Sequence, residues 1–358
     1  DERTVQIRLK EPNTEFLAYL TLAILPAEYD GQDTAPVGTG PFKFVSRAAQ
    51  DNIVLERFDD YWGEKAYLDK VTYKIIENAD SILMSLQSGA VDLFAHLTST
   101  QVAQLGDDFN IEEGTMNLVQ AMYLNNAEKP FDDVRVRQAL CYAIDRQAIV
   151  DTVFSGAGVP ASGFLNPGVP GFDANAEVFE YNPEKAKQLL SEAGAENLSI
   201  KCVVRTNQYE TVMVAVQDYL KAVGVNMDVQ TVDAGVWATD WAAGEYEVTA
   251  LAWYPLYADA DNQMYTYFYS ENAKGKGSFY NNAEFDRLMD EARRSADEDH
   301  RAELYRQADD IMSRQDFACL PLFYPQIMFC AQPWVKNAKI GNLIYHFRDI
   351  DIDTEAMG

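Results

Sequence analysis

Residues able to do chemistry are sparse in this chain. His96, His300 and His346 stand far apart, and none belongs to an HExxH or HxE spacing that would set metal ligands and a base on one helix face. Neither a G-x-S-x-G elbow nor a GxxxxGK(S/T) loop is encoded, so an activated serine and a phosphate cradle of those kinds are excluded. Lys274-Gly275-Lys276-Gly277 reads as a basic surface turn rather than a phosphate cradle, and His96, after Val91-Asp92-Leu93-Phe94, reads as structural, with a ligand or metal contact as the alternative. Cys141, Cys202, Cys319 and Cys330 form no CxxC pair, and each sits in an apolar run. They read as buried free thiols rather than as a disulfide or a metal site. Carboxylate pairs such as Asp59/Asp60, Asp132/Asp133 and Asp309/Asp310 are expected by chance in so acidic a chain, and they read as residues of helix starts. A hydrolase using Asp259 or Asp261 as general base is the enzymatic alternative, and no activating partner for either is in view. No cofactor or resident metal is implied. The chemistry on offer is recognition, not turnover.

Recognition residues cluster in two segments. Arg205-Thr206-Asn207-Gln208-Tyr209 follows an apolar strand and precedes a helix. A guanidinium there offers a two-pronged fork to a carboxylate, and the helix N-terminus adds free N–H groups. The other reading of Arg205 is an exposed cation neutralising an acidic surface. Trp253-Tyr254-Pro255-Leu256-Tyr257-Ala258-Asp259-Ala260-Asp261-Asn262 places aromatics beside carboxylates in a proline-broken stretch, as a small-molecule cleft requires. Tyr254 and Tyr257 read as cleft residues, and Asp261 and Asn262 as caps of the next helix. Tyr265, Tyr267, Phe268 and Tyr269 read as core. The candidate ligand-binding set is Arg205, Asn207, Tyr209, Trp237, Trp253, Tyr254, Leu256, Tyr257 and Asp259.

The elements that must position these residues follow from periodicity and punctuation. Val5-Gln6-Ile7-Arg8-Leu9-Lys10 alternates as a half-buried strand. Segments 42–45, 52–57 and 70–76 are further strands, and Asp80 can cap a helix closed by Gly89. From Asp132-Asp133 one long helix is expected through Val136, Leu140, Ile144 and Ile149. Asn182-Pro183 starts another, which Gly194 closes. Strand 199–204, helix 210–223, strand 225–232, a short helix 236–243 and strand 247–253 then alternate with short connections. That pattern predicts right-handed crossovers and parallel strands. Two amphipathic helices, 283–296 and 299–314, and a strand at 320–324 complete the reading. In such a sheet the ligand lies beyond the carboxyl ends of the strands, where Arg205 and Tyr254 emerge.

The 358 residues suggest two or three domains. Acidic residues number 56 against 29 Lys and Arg, a net charge of −27, and that field repels nucleic acid and anionic membranes. No run approaches the ~18 apolar residues of a membrane span. The first residues, Asp1-Glu2-Arg3-Thr4, carry neither a secretory leader nor a lipid-anchor cysteine.

Three motifs carry a family resemblance. Val37-Gly38-Thr39-Gly40-Pro41-Phe42 with Leu55-Glu56-Arg57 and Tyr61-Trp62-Gly63 is the first, and Leu86-Gln87-Ser88-Gly89 with Val91-Asp92 the second. The most specific is Pro130-Phe131-Asp132-Asp133-Val134-Arg135-Val136-Arg137-Gln138-Ala139-Leu140, continuing to Ala143-Ile144-Asp145-Arg146. Over nearly its whole length the chain resembles the family 5 extracellular solute-binding proteins of ABC importers, the dipeptide, oligopeptide and nickel group. The resemblance implies an α/β, periplasmic-binding-protein-like two-lobed fold (type II, cluster C-like) that captures a solute between its lobes and delivers it to permease subunits. It places the protein outside the cytoplasm, periplasmic or membrane-anchored. A sensor or peptide-signal receptor on the same scaffold is the runner-up. One lobe would comprise residues 1–122 and 325–358, the other 123–324. Because family members carry a leader and a further N-terminal portion, the expectation is a missing N-terminal segment and an incomplete first lobe. In peptide-binding members the segment after the last strand of the second lobe reads roughly W-x-x-D-Y-x-D-P-D-N, and its first Asp receives the peptide's amino group. Here that position is Leu256, which cannot compensate a buried ammonium, a loss of several kcal/mol. Arg205 falls near the arginine that some dipeptide binders use for the ligand carboxylate.

Overall fold

The computed structural model describes residues 4–76, 78–95, 97–106, 108–205, 207–253, 259–339 and 346–357. The chain divides into two compact units, Asp1–Ala18 with Thr115–Pro325, and Tyr19–Gly114 with Gln326–Gly358.

In the smaller unit, strands β1 (Phe42–Ala48), β2 (Asn52–Arg57) and β3 (Lys70–Lys74) form an antiparallel sheet in that order. Helix α1 (Ala79–Gln87) is capped by Asn78, whose side chain accepts from the amides of Asp80 and Ser81. The cap is thus two residues earlier than Asp80, which instead adds an acid to the first turn, where the helix dipole favours it. Gly89, at φ +70°, ends the turn as the sequence required. Strand β4 (Leu93–Ala95), helix α2 (Ser99–Val102) and strand β5 (Asn110–Thr115) follow.

The larger unit is built on strands β6 (Val119–Leu124), β7 (Gly158–Pro160), β8 (Ser199–Val204), β9 (Asn226–Thr231), β10 (Val248–Trp253) and β11 (Cys319–Ala331). Their order is β11-β6-β10-β8-β9, with β7 on β11. β8 runs parallel to β9 and to β10, as short strand–helix–strand connections demand. β6 is antiparallel to β10, from Val248 opposite Leu124 to Trp253 opposite Val119. β11 pairs with β6 over residues 319–323 in the larger unit, whereas its last residues, 329–331, belong to the smaller unit and pair there with β4.

Every residue of β6 is buried, because helices cover both faces of the sheet. Alternation divides its side chains between two cores: Met122 and Leu124 face one, Val119, Ala121 and Tyr123 the other. The first core takes α3 (Val134–Ala143), α4 (Arg146–Val153), α5 (Pro183–Glu192) and α6 (Asn207–Ala222). The second takes α7 (Ala234–Ala243), α8 (Ala260–Phe268), α10 (Ala283–Arg294) and α11 (Glu298–Asp310), with α9 (Ser270–Lys276) between α8 and α10 in the chain. Strands β12 (Val335–Lys336) and β13 (Asp351–Ile352) pair in the smaller unit.

Two further expectations are corrected. The long helix from Asp133 is two helices: Ile144 is extended, at φ −102° and ψ 118°, and Asp145 caps α4 by accepting from Ala148 N. An aspartate in a helical pattern offers the backbone this exit. Residues 4–9 hold no strand, and Val5 and Ile7 are 86% and 53% exposed, so the alternation there has no sheet to join. All four thiols are free and buried. Burial pushes Cys202 up to about 12 and Cys330 to about 11, while Cys141 Sγ accepts from Arg146 at 3.2 Å.

Candidate functional site

At the carboxyl edge of β8 and β10, Arg205 directly follows β8 and α6 begins two residues later. Its guanidinium lies 5.0 Å from the Trp237 ring and 5.9 Å from the Tyr209 ring. Its Nε is buried without a hydrogen-bond partner among the described residues. A donor held in that state is costly, of order 1–3 kcal/mol, unless a further acceptor reaches it.

The platform under Arg205 is rigid for identifiable reasons. Trp237 Nε1 donates to Thr249 Oγ1 at 2.9 Å, and Thr249 in turn donates to the Val203 carbonyl at 2.6 Å. Strands β10 and β8 therefore both fix the indole. Trp237 stacks on Trp241 with centroids 5.4 Å apart, and Trp241 stacks on Tyr246 at 4.9 Å. Tyr209 accepts from the Ala252 amide at 3.1 Å. Tyr267, on α8, packs edge-on to Trp241. Burial raises its phenol, and the charge of Arg205 partly offsets the rise. Tyr267 and Trp241, absent from the sequence-derived set, thus belong to the surroundings of Arg205. Their place in helices of mixed aromatic content gave no signal beyond core.

Among the expected residues, Arg205, Tyr209 and Trp237 come together. Asn207 is the first residue of α6 and Trp253 the last of β10, which puts their backbones at the same edge. Tyr254, Leu256 and Tyr257 lie outside the described residues.

Asp259 is engaged elsewhere: it caps α8, accepting from Asp261 N at 2.7 Å. Its Oδ2 is 3.6 Å from Arg301 Nη2. Burial, then a hydrogen bond and the charge of Glu15, raise its carboxyl to about 8. Glu15, 3% exposed on the 3-10 turn Thr14–Leu20, accepts from Arg301 and from the Tyr305 hydroxyl.

Other candidates are structural. Asp309 accepts from the amides of Phe164 and Leu165 at 2.9 and 3.1 Å and from Ser313. Lys274 and Lys276 lie in α9, which Gly277 ends at φ +89°. No group of three metal-binding side chains occurs among the described residues. His96 is outside them, and His300 pairs with Glu291 on the surface. An apolar cavity of about 500 Å³, lined in part by Val71, Tyr73, Phe94 and Phe347, sits in the smaller unit and includes none of the expected residues. Among the described residues no helix is long and apolar enough to cross a membrane.

The larger unit is thus an α/β fold that carries an aromatic platform and a cation at the carboxyl edge of a doubly covered sheet. The family model described as "Bacterial extracellular solute-binding proteins, family 5 Middle" matches residues 1–275. The chain belongs to that family. It is 30% identical over 380 residues to the dipeptide-binding protein of Escherichia coli, covering 99% of this chain and 70% of the relative. To heme-binding protein A of Haemophilus influenzae it is 31% identical over 340 residues, covering 88% and 62%. The chain thus spans only about two thirds of the length of these relatives. Among solved structures, the ABC transporter-associated periplasmic binding protein DppA of Helicobacter pylori, in complex with the peptide STSA, superposes with a TM-score of 0.86. That match has 28% identity and covers 96% of this chain and 71% of the other. The binding protein AgaA of A. tumefaciens, in complex with agropinic acid, gives 0.81 at 26% identity over 96% and 75%. These likenesses extend the α/β architecture above to the two-lobed fold of periplasmic binding proteins.

Proposed function

We propose that this chain captures a peptide-like or other small organic solute outside the cytoplasm and hands it to the permease of an ABC importer, with no chemical conversion. The observation that carries the reading is Arg205. A half-buried guanidinium seated on Trp237 and Tyr209, with a buried Nε lacking a partner among the described residues, is prepared for an anionic group. The relatives' names, which include dipeptide-binding and heme-binding proteins, support solute capture as the general role.

Leu256 narrows the solute. With leucine where peptide binders of this family place the amine-binding Asp, the preferred solute is anionic or neutral and partly apolar, or a peptide whose ammonium is left in water. Isothermal titration with a panel of dipeptides and their Nα-acetylated forms tests this. Acetylation should leave affinity nearly unchanged. Tight binding of unmodified dipeptides that acetylation abolishes would overturn the solute assignment. Failure of every carboxylate-bearing solute to bind would overturn the role of Arg205.

A further inference from the structure

Three side-chain amides form a buried line in the larger unit. Gln263 Nε2 donates to Asn166 Oδ1, and Asn166 Nδ2 donates to Asn117 Oδ1 at 2.8 Å. Asn166 and Gln263 are fully buried and Asn117 is 4% exposed. Asn166 Nδ2 also donates to the Pro167 carbonyl at 3.3 Å. A carbonyl only accepts, so this contact sets the Asn166 amide one way round and, through it, the direction of the whole line. An amide has a donor end and an acceptor end. A directed line of three therefore finishes with an unused N–H at one side and an unused C=O at the other. Of the three amides, Asn117 Nδ2 and Gln263 Oε1 are the atoms without a partner among the described residues.

Topology puts both ends of the line at the edge that carries Arg205. β6 is antiparallel to β10 with Val119 opposite Trp253, so Asn117, two residues before Val119, stands at the carboxyl end of β10. Gln263 is the fourth residue of α8, the next helix after β10 in the chain. β8, on the other side of β10, delivers Arg205 to the same edge. Native folds pair nearly all buried polar atoms. A buried N–H and a buried C=O left over there ask for a partner from outside the chain.

We propose that Asn117 and Gln263, aligned through Asn166, are an uncharged subsite that holds one amide group of the solute, Asn117 donating to its carbonyl and Gln263 accepting from its N–H. The assignment rests on the reading of Arg205 as the carboxylate contact. Neighbouring strands lie about 4.8 Å apart, so β8 and β6, flanking β10, are separated by roughly 10 Å. An extended peptide covers that distance in about three residues. With its carboxylate at Arg205, a peptide thus brings the third amide from that end to the line. Nothing in the subsite requires an ammonium, in keeping with leucine at position 256.

Calorimetric titration with tetra-alanine and its three single-ester analogues, in each of which one amide N–H is replaced by oxygen, tests the subsite. In the wild type the ester third from the carboxylate should bind about five- to tenfold more weakly than the amide, and the other two within about twofold. Gln263→Met keeps the length of the side chain and loses its carbonyl, so the penalty of that ester should disappear. Asn117→Ala should weaken all four ligands by a similar factor, about fivefold, and preserve the penalty. Melting temperatures identify a variant that fails to fold, and the wild-type series needs no variant. Equal binding of amide and esters, the outcome if internal water alone fills the two ends, would overturn the subsite while leaving the carboxylate role of Arg205 in place. A penalty that persists in folded Gln263→Met would overturn it too. So would failure of tetra-alanine to bind while other carboxylate-bearing solutes do, whereas failure of them all overturns the reading of Arg205 as well.

Discussion

Arg205→Ala separates a recognition cation from a structural one. In the ligand-free protein the substitution removes a guanidinium stacked at 5.0 Å on Trp237 and 5.9 Å from Tyr209, contacts worth about 0.5–2 kcal/mol together. It also removes a buried donor with no partner among the described residues, which offsets part of that loss. With about 2–4 °C per kcal/mol for a unit of this size, the melting temperature should drop by only a few degrees. Against an anionic solute the loss is larger. A charge-assisted hydrogen bond contributes about 1.5–3 kcal/mol, which is roughly a 10- to 150-fold weaker Kd. The assay is calorimetric titration with a solute bearing a free carboxylate and its carboxamide. The wild type should prefer the carboxylate, and Arg205→Ala should bind both equally. Arg205→Lys keeps the charge but neither the fork nor Nε, so it should recover part of the preference. The reasoning is refuted if Arg205→Ala retains the carboxylate preference within about twofold, or if circular dichroism shows that the ligand-free variant no longer folds.

Other expectations concern the groups around this edge. Between about pH 4 and about pH 8 the folded chain holds a proton on Asp259 that the unfolded chain has released, so stability should fall as pH rises through that window. Urea titrations of Asp259→Asn should show a shallower fall. Asp309→Ala strands the amides of Phe164 and Leu165 without their acceptor, and should cost about 2–5 kcal/mol in urea unfolding with little change in solute affinity. Gly171→Ala meets Tyr305 Cβ at 2.9 Å and the Ala302 carbonyl at 3.0 Å from a backbone at φ +95°, and should lower the melting temperature by several degrees.

The run from β8 to β10 was legible because local signals agreed: apolar strands, amphipathic helices, and glycines where helices stop. Gly224 and Gly244 both take positive φ there. The break at Ile144 was hidden because that residue keeps its apolar place on the helical face, and only the capping capacity of Asp145 betrays it. Position along the sheet singled out Arg205, since the carboxyl edge of parallel strands is a topological property. The fastening of Trp237 through Thr249 to Val203 was not legible, because it depends on which strands lie side by side. Asp259 shows the same limit more sharply. Its aromatic neighbours in sequence suggested a ligand, whereas Arg301, which it meets together with Glu15 from the start of the chain, is remote in sequence from both.

The four sequestered sulfurs give the molecule an internal opening gauge. Cys141, Cys202 and Cys319 belong to the larger unit and Cys330 to the smaller, all out of reach of solvent. With Cys202 near 12 and Cys330 near 11, hardly any nucleophilic thiolate exists at neutral pH. An alkylating reagent should therefore modify a cysteine only after its own unit has come apart. Mapping the labelled peptides by mass spectrometry would then report which half yields first under heat or denaturant, with no engineered probe in the protein.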